Sequence, residues 1–413
     1  HYPCHSERQR RILWVEPPSE ILRRLSAPQN DSEWRIAQRR KRTVWVNSRH
    51  REKEENIKQR LSEKVISFFI GKYTTIRYKL WMFRKESNES KLNLQDLSRI
   101  CSEHVFQVTS PLALISQIEY FGGSFLNELF DGHPELHNHP HELMIGHPER
   151  QSWPKINLED RPEIWFEILF EDIVNEHNRK GYRRGREENE TFPFIFVAAL
   201  QRKIFLNYLD SIESITPRDV FDAYMTSYFG AWLNNQNYNG PKKAVTALSS
   251  KLAMIEENME LFFEVYPEGR LISLVRDPKH WFSAVRRRQS GKYGDVSQAI
   301  IYWKESVQAA LRNKERYGDR VCLIKFEDLA GKTRAVMRYL AEFLGIAFDD
   351  ILMVPTFNTL PLGIHTSFQE EDQGEVSSQR SREEKGTAEE LNTIERATSE
   401  IYPLVLSKVV RFE

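Results

Sequence analysis

Apolar residues along this chain fall into two rhythms. Short unbroken runs occur at "PLALISQI" (Pro111–Ile118), "RLISLV" (Arg270–Val275) and "RVCLIKF" (Arg320–Phe326), with a weaker one at "KKAVTAL" (Lys242–Leu248). Runs of this length, bounded by turn residues such as "YPEG" and "RDP", read as buried strands. Between them, aromatic and aliphatic residues recur at i, i+3 and i+4 in "IWFEILFEDIV", "AALQRKIFLNYL" and "VFDAYMTSYFGAWL". That spacing predicts helices over much of 159–261. Pro217 suits the first turn of one of them, with Thr216 as its N-cap. Helical pattern resumes from Trp281 to about Tyr317, then in "RAVMRYLAEFLGI", where Gly345 stops it, and last in "AEELNTIERATSEIYPLV". The segment Gln369–Thr387 is polar and rich in Gly, Ser and Glu, and reads as a loop. Short strands separated by long helices imply an α/β fold, a central parallel sheet flanked by helices.

The first 81 residues break this texture. Residues 1–60 carry fifteen Lys or Arg against eight Asp or Glu, with little apolar periodicity, and the first methionine is Met82. We expect 1–81 to be a basic, poorly structured segment: an over-extended reading frame, a disordered tail, or a basic arm for an acidic partner. The packed domain is expected over 92–413, with a helical insertion at about 150–240. Of 413 residues, 40% are hydrophobic and 29% charged, and the formal net charge is zero. This is a soluble globular composition with no overall bias toward nucleic acid. Cys4, Cys101 and Cys322 have no CxxC spacing, which fits a reducing compartment. The apolar run Val65–Phe83 is broken by Lys72, Arg77 and Lys79, so no transmembrane segment is expected and the location is read as cytoplasmic.

Chemistry concentrates in two places. Between the first strand and a helix lies "IEYFGGSFLNELFD", a Gly-Gly turn whose backbone N–H groups and helix N-terminus suit an anion. Further on, "LISLVRDPKHWFSAVRRR" (Leu271–Arg288) ends a strand in Arg276, turns at Asp-Pro and enters a helix. An arginine at a strand's C-terminal end faces the crevice where open α/β sheets bind ligands, and its fork can hold a phosphate. "AGKT" (Ala330–Thr333) imitates the end of a GxxxxGK[ST] loop, but the first glycine it requires falls on Phe326. A Mg-nucleotide kinase is therefore not supported. His133, His137, His139 and His141 invite a metal reading, yet their segment is interrupted by prolines and holds no Cys, so no metal is expected.

Four stretches in order resemble the sulfotransferase family that uses 3'-phosphoadenosine-5'-phosphosulfate (PAPS), in particular its bacterial members. They are "GGSFLNELFDGHPELHNHPHEL", "FFEVYPEGRLISLVRDPKHWF", "KFEDL" with "MRYLAEFLGI", and "PTFNTLPLGIHTSF" (Pro355–Phe368), and the likeness covers roughly Val105 to Leu404. The resemblance implies a P-loop NTPase-like sulfotransferase fold and transfer of SO3 from PAPS to a hydroxyl or amine of a small-molecule or carbohydrate acceptor. It implies that Tyr120, Phe121, Gly122, Gly123, Ser124 and Phe125 cradle the 5'-phosphosulfate, and that Arg276 with Ser283 holds the 3'-phosphate. Glu142 and His141 jointly are the acid/base candidates, and Lys251 is the candidate cation for the sulfonyl group. Two departures stand out. The family's loop cation falls on Tyr120, beside Glu119, and the family serine eight residues after the arginine falls on Ala284. The alternative is a sulfotransferase-fold protein that has lost catalysis and binds a nucleotide or a partner.

Overall fold

The computed structural model describes residues 105–146, 152–182, 192–288, 290–362, 369–370, 376–377 and 386–412. The chain divides into two compact units, 1–91 and 92–413. The first unit lies outside the described residues, and so do the expectations for 1–81 and for Val65–Phe83. Among the described residues, no helix is long and apolar enough to cross a membrane.

In the second unit, five strands form one parallel sheet. They are β1 (Leu112–Ile115), β2 (Leu136–Glu142), β3 (Ala244–Leu248), β4 (Arg270–Val275) and β5 (Val321–Lys325), in the order β2-β3-β1-β4-β5. Strands buried on both faces need apolar side chains at every position, which is why β1, β4 and β5 are legible as continuous runs. Leu114, Ile115, Leu271, Ile272 and Ile324 have no exposed surface.

Helix α1 (Gly123–Phe130) follows β1. Helices α2 (Pro162–Leu169), α3 (Ile173–Lys180), α4 (Ala198–Asp210) and α5 (Pro217–Ala231) lie between β2 and β3. Thr216 and Asp219 form a reciprocal capping box at the start of α5. Helix α6 (Glu256–Val265) joins β3 to β4. The helical run after β4 is broken into α7 (Pro278–Arg288), α8 (Ser290–Tyr293) and α9 (Val296–Tyr317). After β5 come α10 (Phe326–Gly331) and α11 (Thr333–Leu344), the latter ended by Gly345 at φ 71°. The chain closes with α12 (Ala388–Thr398) and α13 (Ile401–Leu406). The "AGKT" decoy falls at the junction of α10 and α11, away from any strand-to-helix loop.

Strand β2 has no apolar run to mark it, because "LHNHPHE" is polar and contains a proline. It sits at the sheet edge, where Pro140 can lack a ladder N–H, and its register against β3 shifts between Asn138 and Glu142. Its polar groups find partners. Asn138 accepts from the Thr246 hydroxyl at 2.8 Å, and His137 stacks on Phe229 with ring centroids 4.6 Å apart.

Candidate functional site

The strand order places a topological switch between β1 and β4. The chain leaves β1 toward β2 on one side, and leaves β4 toward β5 on the other. Open α/β sheets bind ligands at the C-terminal ends of such a strand pair. The Gly-Gly loop and Arg276 both stand there.

The loop is fixed by contacts from strands on either side of it. The Ser116 N–H donates to the Ile272 carbonyl at 3.0 Å, and the Lys251 N–H donates to the Gln117 carbonyl at 2.9 Å. Trp281 Nε1 donates to the Glu119 carbonyl at 2.9 Å, and an Arg276 guanidinium N–H to the Tyr120 carbonyl at 2.8 Å. Tyr120 adopts φ 64° and Gly122 φ 103°. A Cβ on Gly122 would lie 2.3 Å from the Phe326 ring, and one on Gly123 would lie 2.2 Å from Gln117 Nε2. Gly122 is therefore required by both space and conformation, whereas a side chain at Gly123 would have to displace the ends of Gln117 and Leu248. Helix α1 starts at Gly123 with no acidic residue in its first turn, so its positive end faces outward unneutralised from within the helix. Phe121 and Phe125 are core residues, so only their backbone can serve the loop.

Arg276 is 7% exposed and lies over the Phe326 ring, 4.4 Å from its centroid. Ser283 is buried on α7, and its hydroxyl donates to the Lys279 carbonyl at 2.9 Å, one helical turn back. Arg286 is tied to Glu390 on α12. The side chains of Arg287 and Arg288 lie outside the described residues.

The lysines separate by position. Lys242 and Lys243 precede β3, at the end of the sheet away from the switch. Lys242 donates to the Pro134 carbonyl at 2.8 Å and Asn237 at 2.9 Å, and burial pushes its amine down to about 8. Lys243 pairs with Glu135 at 2.7 Å. Lys251 follows β3, on the ligand side, at φ 66°.

Lys251 pairs with Glu119, and Lys292 from α8 reaches the same carboxylate oxygen at 3.1 Å. The Tyr293 hydroxyl donates to the other oxygen at 2.8 Å. Burial alone would raise the Glu119 carboxyl, but the hydrogen bonds from Lys251 and Tyr293 hold it down to about 2. Lys292, Tyr293 and the partnering of Glu119 have no sequence signal: the contacts span 173 and 174 residues in the chain.

Residues Glu142 and His141 are neighbours on β2, so their side chains leave opposite faces of the sheet. Glu142 accepts from the Ser250 N–H at 2.9 Å, beside Lys251. His141 is buried on the other face, where Nδ1 meets the Glu142 carbonyl at 2.8 Å and Nε2 the Tyr228 hydroxyl at 2.8 Å. Burial, with His139 nearby, pushes its ring down to about 3. The joint assignment of the two residues thus splits across the sheet.

Residues His139 and His141, two apart, share that inner face with Glu171. His139 places Nδ1 2.8 Å from the His141 carbonyl and Nε2 3.0 Å from the Glu171 carboxylate. Glu171 also accepts from the Tyr224 hydroxyl at 2.6 Å and the Met144 N–H at 2.7 Å. Burial works against its charge, yet His139 and its other donors hold it at about 2. Ligating atoms of these three residues lie within 4.8 Å of one another, the kind of donor set that divalent metals take. Each of those atoms already has a hydrogen-bond or ion-pair partner inside the protein, so the cluster closes on itself. The four histidines spaced along the sequence do not converge: His133 bonds the Ala347 carbonyl at 2.9 Å, and His137 stacks on Phe229.

A parallel sheet with a glycine loop, a helix N-terminus and an arginine at its switch point is an arrangement whose chemistry suits an anion. The family model described as "Sulfotransferase family" matches residues 122–350, more than half of the chain. The chain belongs to the sulfotransferase family. It is 20% identical over 285 residues to protein-tyrosine sulfotransferase A of Caenorhabditis elegans, a match covering 67% of this chain and 61% of that protein. Among solved structures it is similar to the sulfotransferase domain from the curacin biosynthetic pathway, at 15% identity and TM-score 0.40, over 72% of this chain and 99% of that one. It is also similar to the sulfotransferase from Alicyclobacillus acidocaldarius, at 16% identity and TM-score 0.37, over 72% and 97%.

Proposed function

We propose that this sulfotransferase-family protein transfers SO3 from PAPS to a hydroxyl or amine on a small-molecule or carbohydrate acceptor. The observation that carries the reading is the bond from Arg276 to the Tyr120 carbonyl across the β1–β4 switch. It brings a guanidinium, a glycine loop and a helix N-terminus to one crevice. Gly122, Gly123 and Ser124, with the backbone of Tyr120, Phe121 and Phe125, would hold the 5'-phosphosulfate. Arg276 would hold the 3'-phosphate. Ser283 would assist only through its oxygen lone pairs or by rotating, since its proton is committed to Lys279.

In-line sulfonyl transfer needs donors on the sulfonyl oxygens and a base for the acceptor proton. Lys251 is suited to the first task, because it stands at the C-terminal end of β3 with its amine at the loop. Glu142 is suited to the second, because its carboxylate is beside the same turn; His141, buried behind β2, is left out of that role. The rival reading, an inactive relative that binds nucleotide, draws on Tyr120 and Glu119 standing where a loop cation is expected. Lys251 answers it by bringing a cation to the loop from another strand.

Calorimetric titration of the full chain with 3'-phosphoadenosine-5'-phosphate (PAP) tests the reading. Micromolar or tighter binding is expected, and Arg276→Ala should cost about 2–4 kcal/mol of it, roughly 30- to 1000-fold, with folding unchanged. A folded mutant with unaltered PAP affinity would remove Arg276 from the site. No PAP binding by the folded wild type would overturn the donor assignment.

A further inference from the structure

Glu119 is a carboxylate in the middle of a loop that, on the reading above, must receive an anion. Its surroundings explain how that is possible. Lys251 from the turn after β3 and Lys292 from α8 both meet Oε1, and the Tyr293 hydroxyl meets Oε2. Two ammonium groups and a phenol around two oxygens are the donor set of an oxyanion site. A carboxylate and a sulfonate each offer terminal oxygens to such a set.

The charges do not balance within the cluster. Two amines share one carboxylate, and the excess is one positive charge. Burial works against the charge on Lys251, but Glu119 and the neighbouring Lys292 amine hold it up, while burial and the contact with Lys251 depress Lys292. A second anionic oxygen would relieve that competition. The groups are also reachable, with side chains 26% (Glu119), 16% (Lys251) and 37% (Lys292) exposed.

We propose that Glu119 is an internal stand-in for the ligand anion. It holds Lys251, Lys292 and Tyr293 together as an oxyanion cradle and swings aside when the sulfonate end of the donor enters. Lys292 is then the second cation of the cradle, supplied from a helix 173 residues away from the loop glutamate it contacts. The proposal rests on the reading of the donor as a sulfated nucleotide, but it makes a claim about sulfate alone.

Inorganic sulfate is therefore the probe, titrated into the full chain at constant ionic strength and followed by calorimetry. Glu119→Gln keeps the shape and removes the competing charge, and should bind sulfate about tenfold tighter than wild type. Adding Lys292→Met should abolish that gain. Lys292→Met alone, at a side chain that is 37% exposed, should weaken sulfate binding severalfold. An E119Q protein no tighter than wild type, a double variant that keeps the gain, or K292M indistinguishable from wild type each overturns the cradle. PAP is titrated in parallel. PAP binding without any sulfate effect sinks the cradle and leaves the donor reading standing, whereas a sulfate effect without PAP binding does the reverse.

Discussion

Two groups of charges flank the same sheet, and they are built to opposite ends. Behind β2, Glu171 is sealed from solvent and meets His139, Tyr224 and the Met144 backbone. At the β1–β4 switch, Glu119 meets Lys251, Lys292 and Tyr293, but all the charged members remain partly exposed. A buried network with every group partnered is rigid, and removing one member leaves the others buried and unpaired. A half-exposed network can exchange one partner for another at small cost, because water screens the intermediate state. Partner count does not separate the two; burial does.

The largest expected effect breaks the sealed group. Glu171→Ala would leave His139, the Tyr224 hydroxyl and the Met144 N–H without their common acceptor, and should cost about 3–5 kcal/mol of stability by denaturant unfolding. A loss under about 1 kcal/mol would mean that the network is not load-sharing. Next is Gly122→Ala at the open site. The added methyl meets the Phe326 ring at φ 103°, and should cost roughly 1–3 kcal/mol of stability together with PAP affinity.

The pH dependence separates the regions further. Burial pushes His137, next to Lys242, and His141 down to about 3. Between there and the ordinary histidine value of 6.5 the unfolded chain binds protons that the folded one refuses. Stability should therefore fall with acidification through that window, by about 1.4 kcal/mol per pH unit for each ring. His137→Phe should reduce the slope by one such increment in pH-dependent melting, and an unchanged slope would exclude His137. Glu171 acts lower. Its carboxyl is depressed, so its contribution is present above about pH 4.5 and is lost toward about pH 2.

The smallest expected effect sharpens the geography of the lysines. Lys251→Met should weaken inorganic sulfate binding about tenfold, whereas Lys242→Met should change it less than about twofold, because Lys242 stands at the far end of β3. Equal losses would contradict the assignment of the C-terminal edge as the binding edge.

Much of this architecture is legible in the chain itself. Strands β1, β4 and β5 announce themselves because burial on two faces demands unbroken apolar runs. The capping box at Thr216 and the stop at Gly345 follow from local hydrogen bonding and backbone conformation, which depend on near neighbours alone. Strand β2 was not legible, because an edge position allows the proline and the tertiary partners Thr246, Phe229 and Glu171 allow the polar residues.

The site divides along the same line. The sequence by itself determined the glycine loop, the arginine at a strand end and the family, since each is a contiguous pattern. Tertiary structure alone decided that Lys292 joins Lys251 at the loop, that Glu119 is neutralised in place, and that Glu142 and His141 part company. The physical reason is distance along the chain. Strand alternation, sheet order and the return of α8 bring together groups more than a hundred residues apart, and no local rule of spacing carries that information.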